Sequence, residues 1–112
     1  MADGSASRAV LIERVNRVGW VTLNRPGQIN AIDSSLRREA LLALDQLDSD
    51  PGIGVIVIRG AGERGFCAGA DIKSQSDATC LTALRNEMTP GWIEALDRVK
   101  KPLIAAIHGY CL

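Results

Sequence analysis

The sequence contains one histidine, His108, and three cysteines, Cys67, Cys80 and Cys111. It has no HxxxH or CxxC spacing and no carboxylate cluster around the histidine, so a metal centre has too few donors to be built from. An odd number of widely spaced cysteines fits no disulfide framework, and reduced thiols in a reducing compartment are expected. A net charge is missing as well. With 13 basic and 13 acidic side chains there is no field to hold a nucleic acid or an anionic membrane surface. No apolar run approaches the roughly 20 residues that span a bilayer, and no membrane insertion is expected. Residues 1–7 are small and polar and read as a flexible N-terminus. Internal repeats and low-complexity tracts are absent. These absences leave a soluble, cytoplasmic protein as the expected class.

What is present is ordinary for a globular chain: 46% hydrophobic and 23% charged residues. A chain of 112 residues makes one domain at most, able to bury roughly two thirds of the surface it exposes when unfolded. Residues 10–14 and 19–23 are short β-prone runs with Asn16 suited to the turn between them, and they read as a hairpin. From Asp33, a plausible N-cap, apolar residues recur at Leu36, Ala40, Leu44 and Leu47 until Asp50-Pro51-Gly52 breaks the pattern. That spacing predicts a one-faced amphipathic helix. Residues 55–58 form a β-branched run bounded by glycines, which predicts a strand covered on both faces. Residues 81–87 are helix-prone, Trp92, Leu96 and Val99 mark a further helical face, and residues 103–107 read as a second buried strand. Alternation of helices with apolar strands predicts an α/β fold with right-handed crossovers. The turns after Ile58 and Ile107 would then converge at the carboxyl-terminal edge of the sheet, where open α/β sheets bind ligands.

Glycines at 65 and 69 let a backbone adopt positive φ and bring bare N–H groups close to a ligand. Such groups can stabilise an oxyanion, an effect worth roughly a few kcal/mol per donor. The spacing is neither a P-loop nor GxGxxG, so spacing alone favours these glycines as simple turn formers.

Three segments add to this reading. LNRPGQINAI (residues 23–32), RGAGERGFCAGADIK (59–73) and KPLIAAIHGYCL (101–112) resemble, in order, successive signatures of the crotonase (enoyl-CoA hydratase/isomerase) family. The resemblance implies an α/β fold of the ClpP/crotonase type, a spiral of ββα units of which residues 8–112 form the N-terminal half. It implies an acyl-CoA thioester as partner and substrate, with no separate cofactor, and hydration of a 2-enoyl-CoA as the reaction of the complete enzyme. Another thioester reaction, such as double-bond isomerisation, is the alternative within the family. A non-catalytic fragment that binds CoA or joins other subunits is the alternative outside it. The first oxyanion donor falls on the backbone N–H of Ala70. Asp71, Ile72 and Lys73 match the segment along the adenine and pantetheine path, Ala68 shapes the same wall, and Gln28 and Ile29 align with a further CoA-contacting loop. Gly27 stands where a basic residue is often found, which argues against a phosphate contact from that loop. A homo-oligomer, trimer or hexamer, is implied for the complete protein.

The family's second oxyanion donor and its two glutamates follow the GYCL segment, so no residue here is assigned to them. The chain by itself is expected to be inactive and to expose apolar surface. Glu39, Glu63, Glu87 and Glu94 match neither motif and read as solvated charges. His108 occupies a position where asparagine and histidine both suit the family, which favours hydrogen bonding at a strand end over general-base catalysis. Cys67 and Cys111 read as small packing residues, since a nucleophilic thiol needs a neighbouring base. Trp20 and Trp92 read as core or interface anchors, and Lys100-Lys101 as a solvated helix end.

Overall fold

The computed structural model describes residues 8–69 and 92–112. The predicted N-terminal tail, the helix-prone 81–87 segment and residues 70–73 lie outside that range. The hairpin forms as expected. Strands β1 (Val10–Val15) and β2 (Val18–Leu23) pair antiparallel from Val10↔Leu23 to Val15↔Val18. The two residues left between them need positive φ at the first, and Asn16 supplies it at +56°.

Helix α1 (Ser34–Asp48) begins where its cap predicts. The Asp33 carboxylate accepts the Leu36 N–H at 2.8 Å, which satisfies one of the donors that a helix start leaves orphaned. Leu36, Ala40, Ala43, Leu44 and Leu47 form its buried stripe against β1, β2 and β3. Leu36 and Leu47 are fully buried, and each contributes roughly 1.5–3 kcal/mol relative to exposure.

Strand β3 (Val55–Gly60) then runs parallel to β2, and β5 (Leu103–Ala106) runs parallel to β3, in the sheet order β1-β2-β3-β5. Helix α2 (Trp92–Arg98) precedes β5, as its apolar spacing predicts. A second, two-stranded parallel sheet joins β4 (Gly65–Cys67) to β6 (Tyr110–Cys111). Sequence patterning gives no sign of it, because strands of three and two residues are too short to show a period.

Two expectations need correcting. Strand β3 is buried on the α1 side through Ile56 and Ile58, but on the opposite face only Val57 is buried and Val55 and Arg59 are partly exposed. Strand β5 is an edge strand among the described residues, with Ile104 and the following Ile107 more than half exposed, the apolar surface expected of this chain by itself. Two charges read as solvated are engaged instead. Glu39 Oε1 accepts the N–H groups of Ala9 and Val10 at 3.0 and 3.1 Å, which pins the start of β1 to α1. Lys101 Nζ donates to the carbonyls of Leu47 and Asp50, so it closes the end of α1 rather than its own helix.

Candidate functional site

Because β2, β3 and β5 are parallel, Leu23, Gly60 and Ala106 all end at one edge of the sheet, and the loops that follow them meet there. The first loop is a single 3-10 turn, Pro26–Gln28, followed by Ile29 and Asn30, both left-handed at φ +50° and +55°. It is tied to the second loop by the Ala61 N–H donating to Leu23 O at 2.8 Å.

Asn30 is the only buried polar side chain among the described residues. Its Oδ1 accepts the Arg25 N–H at 2.8 Å. Its Nδ2 donates to the carbonyls of Phe66 at 3.0 Å and Ala61 at 3.1 Å, with Gly65 O at 3.4 Å. Gly60 lies directly beneath. A Cβ there would stand 2.5 Å from Phe66 O and 2.7 Å from Asn30 Nδ2, so only glycine permits the approach. Arg25 lies on the outer side of the same loop and pairs with Asp33 at 3.5 Å, which joins the loop to the helix cap.

The first loop then holds the segment leading out of β4. Ile29 O accepts the Ala68 N–H at 2.8 Å, and the Ile32 N–H donates to Gly69 O at 2.8 Å. The buried Cys67 thiol bridges the two segments: Sγ donates to Asn30 O and accepts the Gly69 N–H, each at 3.4 Å. Gly69 itself has φ +96°, a value that L side chains rarely adopt. Its peptide groups are thus held on both sides by the 29–32 segment and the thiol.

Of the residues expected to line the site, Ile29, Ala68 and Gly69 come together in this way. Gln28 is exposed on the outside of the 3-10 turn. Ala70, Asp71, Ile72 and Lys73 lie outside the described residues. Gly69 has the expected positive φ, whereas Gly65 does not and instead makes room for Tyr110, whose backbone N would lie 2.6 Å from an added Cβ. His108 Nε2 lies 2.8 Å from Gly62 O, the strand-end hydrogen bond its position suggests. Cys67 packs as expected, while Cys111 is exposed in β6. Sequence reasoning missed Asn30. The signal available was an Asn four residues after a Pro in a short polar loop, since Asn is enriched in left-handed conformations.

A groove of about 330 Å³ between α1 and α2, lined by Leu41, Leu44, Asp45, Arg98 and Val99 among others, belongs to the helical layer and not to this edge. No helix among the described residues is long and apolar enough to cross a membrane.

Comparison with known proteins agrees with this arrangement. The sequence profile of the Enoyl-CoA hydratase/isomerase family matches residues 13–112. A protein named probable enoyl-CoA hydratase from Mycobacterium bovis is 44% identical over 103 residues, which are 92% of this chain and 39% of that protein. The 3-hydroxyisobutyryl-CoA hydrolase of Bos taurus is 39% identical over 93% of this chain and 28% of its own length. Among solved structures, the enoyl-CoA hydratase of Mycobacterium tuberculosis H37Rv superposes with a TM-score of 0.78 at 35% identity, covering 93% of this chain and 39% of that one. That of Bacillus anthracis gives a TM-score of 0.82 at 29% identity, covering 90% and 40%. The chain therefore spans about two fifths of the length of these hydratases. By profile, identity and fold, it belongs to the enoyl-CoA hydratase/isomerase (crotonase) family and corresponds to the N-terminal part of the crotonase fold.

Proposed function

We propose that this chain supplies one wall of an acyl-CoA thioester site and that the complete protein adds water across the double bond of a 2-enoyl-CoA. The observation that carries the reading is the fixed Gly69 peptide at the carboxyl-terminal sheet edge, with φ +96° and its carbonyl engaged by Ile32 N–H at 2.8 Å. In this reading the donor to a thioester oxygen is the backbone N–H of Ala70, the residue that follows Gly69 and lies outside the described residues.

In this reading a base takes one proton from water as its oxygen bonds to C3, the C2=C3 π pair shifts so that negative charge reaches the thioester oxygen as an enolate, and an acid then delivers a proton to C2 as the carbonyl re-forms. Backbone N–H groups that receive the developing oxyanion lower the barrier for both halves of the addition. Gln28, Ile29, Ala68, Asp71, Ile72 and Lys73 contact the CoA portion, which is part of the substrate, and no separate cofactor takes part. The acid and base are not among the glutamates of this chain. Glu39, for example, is occupied in holding β1. The protein is read as a cytoplasmic homo-oligomer, a trimer or hexamer, with no nucleic-acid partner, although some relatives, such as the hydrolase of Bos taurus, are named as mitochondrial.

A second reading within the family has its own support. The same N-terminal region is shared with that hydrolase at 39% identity, so this wall is compatible with thioester chemistry other than hydration, isomerisation included. A non-catalytic CoA-binding or subunit-joining role is the remaining alternative.

Loss of the conjugated-thioester absorbance of crotonyl-CoA, together with calorimetric CoA binding, tests the proposal. Binding of CoA thioesters by the 112-residue chain without turnover is the expected result. Failure to bind any CoA thioester would refute it. Turnover would place an acid and base among residues assigned no such role here.

A further inference from the structure

We propose that Asn30 is a positioning residue for the Gly69 peptide, acting by locking two loops into one rigid body. Its meaning for catalysis rests on the thioester reading, whereas the geometry stands without it. Every polar atom of Asn30 is engaged. The backbone N–H donates to Arg25 O at 2.9 Å, the backbone carbonyl accepts the Cys67 thiol at 3.4 Å, and Oδ1 and Nδ2 join Arg25 to the carbonyls of Ala61 and Phe66. A residue whose role were only to fill space would have no reason to be a buried amide, because each of its groups costs free energy unless paired.

The bonds lead in one direction. On either side of Asn30, Ile29 O takes the Ala68 N–H and the Ile32 N–H takes Gly69 O, while the thiol that touches Asn30 O also takes the Gly69 N–H. The side-chain amide fixes the 61–66 loop from which β4 emerges, and the backbone on both sides fixes the segment where β4 ends. Reacting or oxyanion-binding groups must be held to within about half an ångström by a supporting layer of contacts. Asn30 engages both the approach to β4, through its side-chain amide on Ala61 O and Phe66 O, and the end of β4, through its backbone carbonyl on the Cys67 thiol. Its left-handed φ of +55° selects Asn or Gly over other residues, and only Asn of the two brings the amide.

This identifies the informative variant. Asn30→Gly accepts the same φ without strain and removes the buried side chain with its bonds, while the backbone bonds of residue 30 can persist. The readout is amide hydrogen exchange by NMR on the 112-residue chain. Protection at Ile32 and Ala68 is expected to fall at least about tenfold further than protection at the amides of β2 and β3. Unchanged protection at Ile32 and Ala68 overturns the proposal. A uniform fall across the sheet also overturns it, because Asn30 would then serve global stability alone.

Infrared spectra of crotonyl-CoA labelled with ¹³C at the thioester carbonyl add the functional arm. The unsubstituted chain is expected to lower the carbonyl frequency on binding, and N30G to lose most of that shift while still binding CoA. An equal shift in both chains overturns the positioning role. No shift in the unsubstituted chain sinks the thioester reading instead and leaves the exchange result to decide the role of Asn30. Should N30G fail to fold, Cys67→Ala provides the second variant, since it cuts the thiol link and spares the amide. It is expected to speed exchange at Gly69 and leave Ile32 protected, and loss of protection at Ile32 in that variant overturns the proposal.

Discussion

Substituting alanine for Gly60 tests the packing of this edge more severely than any change to an exposed loop residue. The added Cβ would stand 2.5 Å from Phe66 O, 2.7 Å from Asn30 Nδ2 and 2.9 Å from Phe66 Cα. Two of these three are backbone atoms, and the third belongs to a buried amide held by its own bonds, so none can swing aside. Forcing one extra methyl into such a site costs typically about 1–3 kcal/mol. Displacing the Nδ2 bond to Phe66 O adds about 0.5–1.5 kcal/mol. The reduced entropy of the unfolded alanine chain returns about 0.4–1 kcal/mol. A net loss of roughly 0.5–4 kcal/mol follows.

Gly27 is the matched control, because an added Cβ there meets nothing within 4 Å and its φ is not positive. Gly27→Ala should therefore be neutral or stabilising by up to about 1 kcal/mol. Urea titrations followed by circular dichroism read both, and thermal melts should separate them, since each kcal/mol moves Tm by about 4–8 °C in a domain of this size. A Gly60→Ala chain as stable as the parent would refute the close approach of β3 and the Phe66 carbonyl. Equal losses in both variants would show that glycine content rather than contact sets the cost.

Other substitutions probe the remaining joints, each by urea midpoint. Glu39→Ala, which removes a carboxylate accepting two N–H groups of β1, should cost about 1.5–3 kcal/mol, and Glu39→Gln, which keeps a neutral acceptor, visibly less. Asp33→Ala should cost about 1 kcal/mol through loss of the α1 cap, and an unchanged midpoint would remove the cap from the account. Asp50 gives a pH dependence: the Gly52 N–H, and after it the Arg14 side chain, hold its carboxyl below the usual 3.8. An unfolded chain therefore binds the proton first, so the contribution is complete above the unfolded value and is lost as pH falls through the lower folded one. Asp50→Asn, which can keep the Gly52 bond, should flatten the fall in stability below about pH 4, and parallel acid titrations of the two chains would contradict the assignment.

The parts of the fold legible in the sequence are those specified by neighbours a few positions apart. Asp33 and the four-residue steps from Leu36 to Leu47 define a helix locally, and Asn16 defines a hairpin turn, so both form where expected. Parallel pairing of the runs at 55 and 103 follows from their apolar character and the helix between them. What stayed hidden depends on distant partners. Glu39 looks like any other charge on a helix until the N–H groups of Ala9 and Val10, some 30 residues earlier, are brought against it. The β4–β6 pairing joins segments too short to show any period.

Asn30 shows why the site was harder to read than the fold. Its neighbour Ile29 shares the left-handed conformation and, with Gln28, carries the resemblance to a ligand-contacting loop; Gln28 is exposed, and Ile29 joins the loop to β4 through its backbone carbonyl. The side chain that matters reaches carbonyls 31 and 36 residues further on, through the space that Gly60 leaves open. Motif similarity singles out the loop proposed to meet the ligand. The hydrogen-bond accounting of a buried amide identifies what holds that loop in place, because each of its donors and acceptors must be satisfied somewhere. At this edge the two routes meet at Gly69: it lies within the 59–73 segment that carries the resemblance, and the bonds around Asn30 lead there.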